Sequence, residues 1–226
     1  MARSWKVAVL LAGCGHADGA EIREAVFALL ALDQHGAAFQ CLALDAPQRD
    51  VVDHATGQAV AGASRNLLAE ASRIARVGQC LDLAQADPGA FDALVLPGGF
   101  GVAKSHCDFA LKGAEAEVQP EVERFVRAFF EAGKPVGAIC ISPALAALVL
   151  ARMGRSADLT LGAAGGAAEA VERLGHRHRV VRDAREVVVD EAQKLVTTAA
   201  YMFDDARLAD GWVGIERCVA EVLRRA

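Results

Sequence analysis

The residue best suited to chemistry is Cys140, which follows the short apolar run 135–139 and precedes Ser142 and Pro143. Small residues two positions to either side allow the backbone to turn sharply, as in a nucleophile elbow between a strand and a helix. Ser142 suits an N-cap and Pro143 the first helical position. The N-terminus of that helix favours a thiolate at Cys140, which indicates a reactive cysteine. Cysteine within an apolar run is also common as inert core, so both interpretations stay open.

Glu21 is the candidate carboxyl group beside this cysteine. It lies three residues after Asp18 at the start of a predicted helix, where the two residues resemble a capping box and need no further role. If the strands are parallel, however, Glu21 projects over the same sheet edge as Cys140. A carboxyl group there would hydrogen-bond to the sulfur and move a proton during a reaction.

The turn at residues 97–101 supplies candidate oxyanion donors. Its glycines Gly98 and Gly99 would present backbone N–H groups to a developing negative charge, together with the N–H of Ile141. The same glycines suit a tight turn that requires positive φ, and the two roles are compatible.

Histidines and a tyrosine complete the candidate site. His16 and His106 lie on loops predicted at the same edge, and Tyr201 follows the end of a predicted strand, so all three are possible lining residues. His176 and His178 also stay open as bases, because the nucleophile and base of Cys–His enzymes meet in space and not in sequence. Most of these histidines are expected to be solvated, and a core tyrosine is the commoner case.

Alternating strand and helix patterns must position these residues. Residues 6–12 and 38–44 are predicted strands around a helix whose inward residues would be Ile22, Ala25, Val26, Leu29 and Leu30, a βαβ unit with parallel strands. The later pattern predicts a hairpin at 51–60, helices at 66–76, 121–132, 143–153, 167–174 and 212–225, strands at 91–96, 158–161, 186–189 and 195–198, and a polar loop at 102–114. The fold class expected is a single α/β domain with a mostly parallel central sheet.

A dinucleotide-binding enzyme is the main rival class from the residues alone. Gly13, Gly15 and Gly19 follow the first strand, and Asp45 ends the second, as in a nucleotide-binding fingerprint with one residue inserted. The carboxylates of Asp18 and Glu21 at the helix N-terminus would repel a pyrophosphate, which argues against it.

Composition narrows the function classes further. The chain has 226 residues, 54% hydrophobic and 23% charged, with a net charge of −5, so a nucleic-acid partner is not expected. Its six cysteines form no C-x-x-C motif, which indicates neither a zinc site nor a disulfide framework and fits a cytoplasmic location. The apolar run 7–12 is too short for a lipoprotein signal and is needed as a strand, and no run is long enough for a membrane span.

Four motifs in order resemble one family along nearly the whole chain: GCG at 13–15 with DGAEI at 18–22, PGGFG at 97–101 with AK at 103–104, CISPA at 140–144 and VTTAAYM at 196–202. The chain resembles the ElbB family, named for enhancing lycopene biosynthesis, of the ThiJ/PfpI superfamily of class I glutamine amidotransferase-like proteins. The resemblance implies a flavodoxin-like three-layer sandwich over residues 1–226, with Cys140 as the elbow cysteine and Glu21 as the acid beside it. It also implies no cofactor or metal and a homodimer.

The activity that the resemblance implies is a cofactor-independent glyoxalase that converts glyoxal, a small dicarbonyl, to glycolate through a cysteine hemithioacetal, with a link to isoprenoid biosynthesis. Related peptidases place a histidine directly after the cysteine, but Ile141 stands there, so amidotransfer and proteolysis lose their base. The alternative is a non-catalytic redox sensor or interaction protein with an oxidisable Cys140.

Overall fold

Strands and helices alternate along the part of the chain that the computed structural model describes, residues 5–226. The strands are β1 (Lys6–Leu10), β2 (Ala38–Ala43), β3 (Val52–Asp53), β4 (Gln58–Ala59), β5 (Cys80–Asp82), β6 (Ala93–Leu96), β7 (Val136–Ile139), β8 (Asp158–Leu159), β9 (Arg177–His178), β10 (Val187–Asp190) and β11 (Leu195–Thr198). The helices are α1 (Ile22–Gln34), α2 (Leu67–Ala75), α3 (Phe109–Lys112), α4 (Pro120–Glu131), α5 (Ser142–Arg152), α6 (Gly166–Arg173) and α7 (Leu208–Arg225).

Seven strands form the central sheet, in the order β10-β11-β7-β6-β1-β2-β5. Every neighbouring pair is parallel except β10 with β11. The parallel β1-α1-β2 unit and the antiparallel hairpin of β3 with β4 are as the sequence predicted. The short edge strand β5 was not predicted, because its three residues carry no distinct hydrophobic period.

Helices cover both faces of this sheet, and the alternation along β1 shows why. Val7 and Val9 pack into a core with α1 and α7, whereas Ala8 and Leu10 pack into a second core with α4 and α5. Successive side chains of a strand point to opposite faces, so an all-apolar strand such as β1 serves two cores at once. The result is the flavodoxin-like three-layer α/β sandwich that was expected.

The buried face of α1 differs from the prediction. Ile22, Val26 and Leu30 were assigned inward but are 42–47% exposed. The face that packs inward consists of Glu24, Ala25, Ala28, Ala31 and Leu32. Alanine lets a helix approach its neighbours closely, so three alanines and Leu32 pack inward while Ile22, Val26 and Leu30 lie outside. This rotation turns Glu24 toward the protein interior.

The segment predicted as a polar loop at 102–114 is instead largely helical and buried. A π-helical turn at Val102–His106 is followed by α3, and Val102, Ser105 and His106 are all buried. Lys104 extends from this turn and forms an ion pair with Asp50 at 2.7 Å. Across residues 5–226, no helix is both long and apolar enough to cross a bilayer.

Candidate active site

The carboxyl ends of four adjacent strands bring the predicted motifs together. β11, β7, β6 and β1 are neighbours in the sheet and parallel, so the loops that follow them leave from one edge. Those loops contain Tyr201, Cys140, the Gly98–Gly99 turn and His16, respectively. Parallel α/β sheets commonly bind ligands at this edge.

Cys140 is held in a strained elbow, as its motif predicted. Its φ is 61°, in the left-handed region that a residue with a side chain rarely adopts. Its backbone N–H donates to the carbonyl of Thr198 at 2.9 Å, which ties the elbow to β11. Ser142 is not the N-cap that was expected; its Oγ donates to the carbonyl of Pro97 at 2.8 Å and fixes the glycine turn beside the elbow. The cysteine is 8% exposed, at the floor of a crevice.

The carboxyl group that lies beside Cys140 and acts on the pKa of its thiol belongs to Glu24, one turn beyond the predicted Glu21. Glu24 is fully buried, and its Oε2 accepts from the N–H of Gly98 at 2.9 Å. Its Oε1 accepts from the N–H of Tyr201 at 3.4 Å. The loops after β6 and β11 therefore hold this carboxyl group in place beside the elbow.

Glu21 has a different position in the site. It is the N-cap of α1, where its Oε2 accepts from the N–H of Glu24 at 2.7 Å. Its Oε1 accepts from Nε of Arg23 at 2.9 Å. Asp18, the expected cap, is instead buried and accepts from the N–H of Val52 at 2.7 Å. Glu21 lines the crevice. Its carboxyl group also occupies the helix N-terminus where the phosphates of a dinucleotide would need to bind, which disfavours a dinucleotide-binding enzyme.

Two of the three predicted oxyanion donors lie close to the Cys140 thiol. The N–H groups of Gly99 and Ile141 favour its charged form, whereas the N–H of Gly98 donates to Glu24. Gly98 serves the site by its small size, because a Cβ there would lie 2.6 Å from Cβ of Cys140 and 2.7 Å from Oε2 of Glu24. The turn is therefore both a close packing point and a donor site.

Burial governs the ionisation of the cysteine and its carboxyl partner. Burial raises the pKa of Glu24 to about 8, helped by the nearby charge of Glu21. Burial also raises the pKa of Cys140 well above its usual value, and the charge of Glu24 adds to this rise, while the two N–H donors oppose it. The depressed thiol pKa expected from the helix N-terminus is therefore wrong. Both shifts favour the protonated form of their group at neutral pH, and the two groups titrate as a coupled pair.

The crevice above Cys140 has a volume of about 440 Å³. Of the predicted lining residues, His16 and Tyr201 line it. The guanidinium of Arg23 lies 4.2 Å from the centre of the Tyr201 ring, so a cation sits at the wall. Its remaining walls include Phe100, Met202 and Asp204.

The other candidate histidines lie elsewhere. His106 is buried in the π-helical turn, away from the crevice lining, and burial lowers its pKa to about 4. His176 lies 2.9 Å from the carbonyl of Ala147 through Nε2, and His178 accepts from the N–H of Leu161 at 3.0 Å. Within residues 5–226, no three His, Cys, Asp or Glu side chains are grouped to hold a metal ion.

The site residues that sequence reasoning missed are Glu24 and Arg23. A charged residue among the alanines of α1 was the available signal for Glu24, since an isolated charge on a buried helix face requires a partner. The larger apolar residues Ile22 and Val26 obscured that face. For Arg23, the residue pattern held no comparable signal.

The raised pKa of Glu24 predicts a pH-dependent stability. Because the folded protein keeps a proton that the unfolded chain releases above pH 4.5, stability falls as the pH rises from there to about 8, by roughly 5 kcal/mol at most. Glu24→Gln has no such titration. We therefore expect the thermal midpoint of the wild type, minus that of Glu24→Gln, to decrease between about pH 5 and pH 8.5. A constant difference across this range would contradict the burial of an ionisable group there.

Comparisons with known proteins agree with this architecture. A family model described as the DJ-1/PfpI family matches residues 16–208. The human protein named glutamine amidotransferase-like class 1 domain-containing protein 3, mitochondrial, is 42% identical in an alignment 228 positions long that covers 96% of this chain and 83% of the human one. The rat ES1 protein homolog, mitochondrial, is 42% identical over 206 residues, covering 87% of this chain and 75% of its own.

A solved structure extends the likeness to three dimensions. It is the crystal structure of an isoprenoid biosynthesis protein with an amidotransferase-like domain from Ehrlichia chaffeensis, which is 37% identical with a TM-score of 0.88. The match covers 98% of this chain and 100% of that one. With a family model over most of its length and relatives similar along nearly all of it, this chain belongs to the DJ-1/PfpI family.

Proposed function

We propose that the protein is a cofactor-independent glyoxalase of the ElbB type, which converts glyoxal to glycolate. The observation that carries this proposal is the buried Glu24 carboxyl group beside Cys140, at the floor of an open crevice and close to two backbone N–H groups. A nucleophile, an acid–base group and an oxyanion site are the parts that such a reaction requires.

The first step forms the carbon–sulfur bond. The reactive form is the one in which Cys140 and Glu24 hold a single proton between them. The Glu24 carboxylate takes the thiol proton, and the Cys140 sulfur adds to one aldehyde carbon of glyoxal. The N–H groups of Gly99 and Ile141 already lie against the sulfur, so they are close to the oxygen that becomes negative. Glu24 returns its proton to that oxygen, which gives a neutral hemithioacetal.

The second stage moves hydrogen between the two carbons. The Glu24 carboxylate removes the proton from the carbon attached to sulfur and gives it to the oxygen of the neighbouring carbonyl, which forms an enediol. It then takes the proton of the hydroxyl group next to sulfur and delivers it to the second carbon, which restores the carboxylate. The product is a thioester of Cys140 with a hydroxyl group on its second carbon. Water cleaves this thioester to glycolate and restores the thiol, so one glyoxal and one water give one glycolate with no external oxidant.

Amidotransfer and proteolysis fit the site less well. Ile141 occupies the position of the peptidase histidine, and His106, His176 and His178 make contacts away from the crevice. His16 does line the crevice, but the ionisable group beside Cys140 that acts on its pKa is Glu24. A carboxyl base favours chemistry in which a proton moves between neighbouring carbons.

A redox sensor is the second candidate, supported by the same contact. A neutral Glu24 and the two N–H donors would stabilise a sulfinic acid at Cys140, formed by two successive oxidations with peroxide. Intact mass after mild peroxide, with a gain of two oxygens at Cys140 and no aldehyde turnover, would favour this function over the glyoxalase.

Product analysis is the experiment that tests the glyoxalase. The purified protein is incubated with glyoxal and the products are followed by NMR, with heat-denatured protein as the control. We expect glycolate to form in proportion to the native protein concentration. Glycolate at the rate of the denatured control would refute the proposal.

Location, assembly and pathway remain predictions. The sequence favours a cytoplasmic homodimer, whereas the human and rat relatives are named as mitochondrial. The link to isoprenoid biosynthesis rests on the motif resemblance and on the likeness to the Ehrlichia chaffeensis protein, which is itself described as an isoprenoid biosynthesis protein.

A further inference from the structure

A second cavity adjoins the crevice above Cys140. Its volume is about 410 Å³, close to that of the crevice itself. The two share Phe100, Ile141 and Met202 as lining residues, so they meet at one wall. Together they offer more room than a dicarbonyl of two carbons needs.

The walls of this second cavity are mainly apolar. Phe109 and Leu111 come from α3, and Ala167 and Ala170 come from α6. Apolar walls with few polar groups are typical of sites that bind the hydrocarbon part of a small molecule. We refer to this cavity as the side groove.

Arg173 gives the side groove one charged end. It is the last residue of α6. Its guanidinium packs beside Gly113, another residue of the groove wall: a Cβ added to that glycine would lie 3.4 Å from Nη2. Arg173 is exposed, and none of the ion pairs among the described residues includes its guanidinium. A guanidinium without a counter-ion at the solvent end of a mainly apolar groove suits a carboxylate ligand.

From this arrangement we infer that the preferred substrate is a 2-oxoaldehyde with an aliphatic chain that ends in a carboxylate. This inference rests on the proposed function, since the aldehyde end reacts at Cys140. The chain passes Phe100 and Met202 into the side groove, and the carboxylate binds Arg173. The balance is that of the glyoxal reaction: the oxoaldehyde and one water give the 2-hydroxy acid.

Stable products serve as binding probes, because they do not react with the cysteine. The pair 2-hydroxyoctanedioate and 2-hydroxyoctanoate share one chain length and differ only in the terminal carboxylate. Calorimetric titration of the wild type is expected to show about tenfold tighter binding of the diacid, the size of one charge-assisted contact. A series of 2-hydroxy diacids of increasing length would locate the best fit to the groove.

Three variants assign the effect to the side groove. Arg173→Gln is expected to remove the advantage of the diacid, whereas Arg177→Gln, an exposed arginine outside the groove, retains it. Ala167→Phe fills the groove from a half-buried position and is expected to weaken the binding of both ligands. Circular dichroism checks that each variant is folded.

The outcomes separate the two proposals. Equal binding of diacid and monoacid, no binding of either, or unchanged binding to folded Ala167→Phe would overturn the inference about the side groove, whether or not glyoxal is converted. Preferential binding of the diacid without any glycolate from glyoxal would overturn the glyoxalase reaction and leave the side groove as a carboxylate-binding site.

Discussion

Replacing Cys140 with alanine is expected to lower glycolate formation from glyoxal by at least about 10³-fold, because no other group in the crevice can form the thioester. The change should preserve the fold. Alanine, like cysteine, carries a Cβ at the positive φ of this position, so no new backbone strain arises. Steady-state assays of glycolate release measure the effect.

Cys14→Ala is the matched control for this variant. Cys14 is a partly exposed thiol on the loop after β1, at the same edge of the sheet, but it does not line the crevice. We expect its removal to leave turnover within a few-fold of the wild type. Equal glycolate release by wild type and Cys140→Ala would show that the reaction takes place elsewhere or without a thiol.

Glu24→Gln is expected to lower kcat/KM for glyoxal by about 10²- to 10⁴-fold, the range of a general acid–base contribution. The amide keeps the size of the side chain but cannot take the thiol proton or move the proton between carbons. Its carbonyl can still accept from the N–H of Gly98, so the glycine turn stays in place.

Glu21→Gln is the control that separates the two carboxyl groups. The amide oxygen can still cap α1, and the crevice loses one charge without losing the group beside sulfur. A change of only a few-fold in kcat/KM is expected, with the pKa of Glu24 moving downward because a neighbouring charge is gone. A larger loss in Glu21→Gln than in Glu24→Gln would restore the assignment made from sequence.

The sequence motifs predicted the elbow and most of its surroundings. Cys140 ends a buried strand and precedes a helix, and that order alone identified the sharp turn, at which the structure shows a φ of 61°. The glycines at 98 and 99 were recognised because two adjacent glycines after a strand are needed where backbone approaches another group closely. These are local features, and local features are encoded by neighbouring residues.

The acid partner was misassigned because helix rotation is set by packing and not by local pattern. Ile22, Val26 and Leu30 form a regular apolar stripe, which ordinarily marks the inward face. In the fold, the alanines of α1 pack inward instead and carry Glu24 with them to Cys140. The pKa of the Cys140 thiol was misjudged for a related reason. The burial that raises it depends on how several elements pack around the site, and not on the residues next to the cysteine in sequence.

The most direct test of the account is the pH dependence of Cys140 alkylation by iodoacetamide, followed by mass spectrometry of the peptide that contains it. If one proton is shared between the cysteine and Glu24, reactivity in the wild type should rise with a midpoint near pH 8, where the pair loses its first proton. In Glu24→Gln that proton must come from the thiol itself, so the rise should move to higher pH. Coincident profiles for the two proteins would contradict the pairing of Glu24 with Cys140.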